Sequence, residues 1–102
     1  MPEINIRQNE ERNRFEAAVD GGLAVLNYVQ AGDSRIAYVH TEVPDELEGQ
    51  GIGSALAKHA LEYARDNDLR VTPSCPFVQA YIRRHPEYQD LVSDGRTRGS
   101  SP

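Results

Sequence analysis

Between Val43 and the amphipathic run that begins at Ile52, glycine takes every second place: Glu48-Gly49-Gln50-Gly51-Ile52-Gly53-Ser54. Such a stretch dictates a strand, a tight turn and a helix in that order. Without Cβ atoms the backbone turns sharply and lets a ligand come close, and the helix that follows aims unpaired N–H groups and its positive dipole end at the turn. The natural occupant is an anion. The spacing narrows the kind of anion, because the loop lacks the Gly-Lys-Ser/Thr ending of a P-loop and has Leu56 rather than Gly three places after Gly53, so Gly-x-Gly-x-x-Gly is not met. A strand-to-helix turn that holds nothing would carry the same glycines.

The chain on either side supplies a meander and a crossover. Ile4 and Ile6 alternate with polar neighbours, Phe15 to Val19 does likewise, and Asp20-Gly21-Gly22 turns the chain into Leu23 to Val29. Gly32-Asp33-Ser34 then leads into Ile36 to Val43, where strict period two puts Ile36, Tyr38, His40 and Glu42 on one face and Ala37, Val39, Thr41 and Val43 on the other. After the glycine loop, Ile52, Leu56, Ala60 and Tyr63 fall on one helical stripe, with Lys58, Glu62 and Arg65 outside it and Asn67-Asp68 as a stop. Leu69 to Thr72 reads as a short strand parallel to the His40 strand. Pro73-Ser74-Cys75-Pro76 opens a second helix with Pro76 at its first position, Val78, Tyr81, Ile82 and His85 as its stripe, and Pro86 as its end. Tyr88 to Val92 packs back as a last short element. The expected class is α+β, with one domain over 1–92 and a disordered tail over 93–102, where no apolar residue occurs.

Composition excludes several classes. A formal charge of −5 and a pI near 5.1 speak against a general nucleic-acid binder. No apolar run approaches a membrane span of roughly 20 residues and the N-terminus has no signal core, so the expectation is a soluble cytoplasmic protein. The single cysteine, Cys75, rules out an internal disulfide. Histidines and carboxylates lack metal-ligand spacing, so no metal is expected. His59 and His85 read as structural; Phe77 and Tyr81 lie where a ligand could pack, although core packing is the commoner role at their spacing.

The order of strands, glycine turn, helix, strand and helix resembles the GNAT acyl-CoA transferases, an α/β three-layer fold, over His40 to Leu91. Their loop, Arg or Gln, two residues, Gly, one residue, Gly or Ala, is matched by Glu48 to Gly53 with Glu48 alone departing. A narrower resemblance links the chain to single-domain GNAT-like acetyltransferases of about one hundred residues, a reduced version of that fold. It rests on His40-Thr41-Glu42-Val43-Pro44, the glycine loop, Pro73 to Val78, and Arg84-His85-Pro86-Glu87-Tyr88. The resemblance implies acetyl-CoA with its pyrophosphate on Gln50, Gly51, Ile52, Gly53 and Ser54. Its pantetheine would run along Thr41 and Val43, and its thioester would lie near Ser74, Cys75 and Pro76, with Arg84 a further phosphate contact.

Two routes to an acetylated amine stay open from the sequence. In one, His40 or Glu42 takes the amine proton while Cys75 lies beside the leaving thiolate; in the other, Cys75 at its helix N-terminus carries the acetyl group first. The other readings are a CoA or acyl-CoA sensor or interaction module with little turnover, and a redox-sensing Cys75. The partners expected are acetyl-CoA and an amine acceptor, with no nucleic acid and no membrane, the protein being a monomer or weak dimer.

Overall fold

The computed structural model describes residues 4–19 and 21–92. The tail expected over 93–102 and Asp20 of the expected turn lie outside them. Five strands form one mixed sheet in sequence order: β1 Ile6–Asn9, β2 Arg14–Val19, β3 Gly22–Ala31, β4 Arg35–Glu42 and β5 Arg70–Pro73. The first four pair antiparallel, as the turn chemistry dictates, and β5 joins β4 in parallel after the crossover helix α1, Ile52–Asp66. Helix α2, Pro76–Arg84, follows with Pro76 at its start and Cys75 as its N-cap. The last element is a 3₁₀ turn, Pro86–Leu91, after which Val92 bridges to Val71. The α+β expectation therefore holds.

The core explains why these elements stay together. Phe15, Ala17, Ala24, Leu26, Tyr28, Ile36, Tyr38 and Val71 from the sheet meet Ile52, Leu56, Ala57, Ala60, Leu61 and Ala64 of α1 and Val78 and Ile82 of α2 in one buried cluster. Burial of each large apolar side chain contributes about 1.5–3 kcal/mol. Phe15 is the hub, its ring 5.2–5.4 Å from those of Tyr28, His59 and Tyr63. Tyr38 sends its hydroxyl across to the Ala60 carbonyl, 2.6 Å away, fixing β4 against α1. The described residues thus build a sheet layer and a helical layer. On the side of the sheet away from Tyr28 and Tyr38, Leu23, Val29 and Val39 remain exposed. Arg14 and Asn9 donate to Glu16 there and hold its carboxyl below the usual range.

One local departure from strict alternation decides the layout of the site. Tyr38 pairs with Tyr28 but His40 pairs with Asn27, so Val39 is an extra residue and β4 carries a bulge. Opposite residues of an antiparallel pair share a face. Tyr38 and Thr41 therefore both lie on the helical face, beside Tyr28 and Leu26, while His40 and Glu42 turn to the open face with Asn27 and Val25. Period two places Ile36, Tyr38, His40 and Glu42 together; the bulge separates the last two from the first two.

Candidate functional site

The glycine loop, the end of β4 and the starts of both helices enclose a cavity of about 430 Å³. Its lining includes Thr41 and Val43 from the strand and its exit, Gly51, Ile52, Gly53 and Ser54 from the loop and first turn of α1, and Phe77 from α2. Gly51 caps α1 with φ of 80°, a left-handed conformation that glycine adopts without strain. It offers no side-chain acceptor, and no acidic residue occupies the first turn, so the leading N–H groups of α1 receive no cap from a side chain. These donors and the positive helix end form a cradle for an anion.

A second feature extends the cavity. β5 pairs with β4 only as far as Tyr38 opposite Pro73, after which the Cys75 N–H donates to the Tyr38 carbonyl at 2.9 Å and α2 leads the chain away. Beyond that point β4 keeps β3 on one side, and among the described residues no strand covers its other edge. An extended, amide-bearing ligand fits such an edge as an added strand does.

Six residues expected to hold the cofactor thus line one cavity: Thr41, Val43, Gly51, Ile52, Gly53 and Ser54. Gln50 is exposed on the loop, Ser74 and Pro76 are exposed at the entry to α2, and Arg84 is exposed in its last turn; none of the four lines the cavity. Cys75 is only 3% exposed and does not line it either. Its sulfur lies 3.3 Å from the Thr41 hydroxyl, so Thr41, not His40, is its side-chain neighbour. His40 and Glu42 stand together, Nε2 and Oε1 being 3.7 Å apart, both exposed on the other face. Among the described residues no three His, Cys, Asp or Glu gather as metal ligands, and no helix is long and apolar enough to cross a membrane.

Leu47, Glu48, Gly49 and Phe77 also line the cavity. The loop glycines mark the neighbourhood, and of the two readings of Phe77, core packing and packing against a ligand, its place in the cavity lining favours the second. Its actual signal was position: an aromatic residue one place after the proline at a helix start is carried on the outer turn, where it stays 41% exposed. Glu48 brings a negative charge to the rim, an unfavourable neighbour for a phosphate.

The profile of the GCN5-related N-acetyl-transferases matches residues 14–91, most of the chain. The chain belongs to that family. It is similar to Protein NATD1 of Mus musculus, 34% identical over 90 residues that make up 86% of this chain and 82% of that one. Protein NATD1 of Xenopus tropicalis is 33% identical over 86% of this chain and 83% of its own length. Among solved structures, a GCN5-like protein from Staphylococcus aureus, determined in solution by NMR, superposes with a TM-score of 0.70 at 33% identity over all of both chains. Family membership gives the cavity its context, since the uncapped α1 start and the open β4 edge both lie within the matched residues.

Proposed function

We propose that the protein is an N-acetyltransferase that takes its acetyl group from acetyl-CoA and passes it directly to an amine. The observation that carries this reading is the uncapped start of α1 opening on the same cavity as the unpaired edge of β4. A pyrophosphate needs the first and a pantetheine arm needs the second. Backbone N–H groups at Gly51, Ile52 and Gly53 would hold the phosphates, the β4 edge near Thr41 the amides, and Phe77 would cover the arm. The ligand's own contribution is an acetyl thioester activated toward amines.

The residues of the chain then orient, exclude water and move one proton. The open face of the sheet leaves His40 and Glu42 accessible to an incoming amine, with the Glu42 carboxylate 3.7 Å from the His40 ring. As the C–N bond forms and the C–S bond breaks, the amine proton passes to His40, directly or through water, and CoA leaves as the thiolate. Position supplies most of the acceleration, because two reactants are held in one orientation. Burial of Cys75 behind Thr41 favours this direct route over acetylation of the thiol.

The test is release of free CoA from acetyl-CoA, followed by chromatography with lysine peptides, polyamines and small aliphatic amines as acceptors. Amine-dependent release with an equal yield of acetylated amine is the expected result. Binding of acetyl-CoA without release for any acceptor would replace the enzyme with an acyl-CoA sensor, and it is the result that would overturn the reading.

A further inference from the structure

We propose that Thr41 is the side chain that meets the acyl end of the bound donor, and that Cys75 is its positioning residue rather than an acetyl carrier. This rests on the transfer reading above. Thr41 lines the cavity and Cys75 does not, while the two side chains touch at 3.3 Å. Cys75 is held from both sides: its N–H donates to the Tyr38 carbonyl at 2.9 Å, and its carbonyl accepts the Gln79 N–H at 3.0 Å. Gln79 in turn ties its side chain to the Pro73 carbonyl at 2.8 Å, so the turn that carries the thiol is fixed. The bulge at Val39 is what brings Thr41 to this face at all.

The direction of the contact follows from counting hydrogens. Thiol and hydroxyl carry one each, and the hydroxyl oxygen has two lone pairs. If Thr41 donates to sulfur, its only hydrogen is spent inside the protein. If Cys75 donates to Oγ1, the hydroxyl keeps its hydrogen for a carbonyl or sulfur acceptor in the cavity, and the two bonds in line strengthen each other. Only the second arrangement serves a thioester. It also explains a buried cysteine at this place, since the thiol needs contact with Thr41 and no access to the ligand.

Five proteins decide it: wild type, Cys75→Ser, Cys75→Ala, Thr41→Val and the double variant Cys75→Ala with Thr41→Val. Serine keeps a donor at the same site, so Cys75→Ser should retain kcat within about threefold. Cys75→Ala and Thr41→Val should each lose about tenfold in kcat at unchanged KM for acetyl-CoA, and the double variant should fall no further than either single one. The intact mass of wild type incubated with acetyl-CoA should show no acetyl group on Cys75. Independent of turnover, the infrared S–H stretch of the single cysteine in the protein alone should lie at lower wavenumber in wild type than in Thr41→Val. An acetyl adduct on Cys75, or Cys75→Ser as inactive as Cys75→Ala, would overturn the proposal, and so would an S–H band that Thr41→Val leaves unmoved. A shifted band in a protein that acetylates no amine would support the thiol–hydroxyl pairing and overturn the transfer reading instead.

Discussion

Gly53 lies under the ring of Phe77: a Cβ built on the glycine comes within 2.9 Å of Phe77 Cζ. The start of α1 and the start of α2 therefore meet at a contact only glycine permits, and both residues line the cavity. Gly53→Ala gains about 0.5–1 kcal/mol of helix preference but pushes the ring outward. Net stability should change by less than about 1 kcal/mol while acetyl-CoA binds about tenfold more weakly, a loss of about 1.4 kcal/mol. Adding Phe77→Ala should relieve the contact without restoring affinity. Calorimetry on wild type and the two variants checks this, and an undiminished affinity in Gly53→Ala would remove Phe77 from the site.

Gly51→Val acts on the backbone instead. No atom lies within 4 Å of a Cβ there, so the obstacle is the φ of 80° alone. An ordinary L residue loses roughly 1–2 kcal/mol in this region and a β-branched one more. The cap should open, lowering thermal stability and abolishing acetyl-CoA binding. A variant that binds normally would show that the N–H cradle is not used.

His40→Gln should leave acetyl-CoA affinity unchanged and lower kcat about 100-fold, the scale of a general base. The open-face position predicts this separation of binding from rate, because His40 does not line the cofactor cavity. Steady-state kinetics beside a titration measures both. Unaltered kcat would assign the proton to solvent.

Burial holds the Tyr38 phenol protonated well above its ordinary value, with smaller contributions from Tyr63 and Tyr28. Its folded pKa is raised, so the stability linked to it is complete below the unfolded value of 10.0 and is lost as pH climbs above that. Tyr38→Phe loses the bond to the Ala60 carbonyl, about 1 kcal/mol and roughly 4–8 °C in Tm at neutral pH. Its Tm should then fall less steeply than that of wild type above pH 10. Scanning calorimetry from pH 7 to 11 gives both numbers, and parallel curves would refute the link.

The fold was legible because its signals are local. Period two, the turn glycines, the 3.6-residue stripe of α1 and Pro76 at a helix start each survive into the structure. The site was legible where backbone chemistry makes it, at Gly51 to Ser54, and less so where register makes it. Nothing in Tyr38-Val39-His40 announces a bulge, since the extra residue exists only relative to Asn27 and Tyr28 of another strand. The faces of Thr41 and His40 are therefore exchanged relative to strict alternation, and Cys75 meets a threonine. Spacing alone does not decide between core and ligand packing for Phe77, because its exposure depends on how closely α1 approaches α2 at Gly53, twenty-four residues earlier.

The most direct test of the account is calorimetric titration of the wild-type protein with acetyl-CoA. The cradle at α1 and the open edge of β4 predict saturable binding at one site per chain, competed by CoA itself. Absence of heat and of competition at millimolar ligand would contradict it, and would mean that Glu48 on the rim has closed an inherited cavity to phosphate.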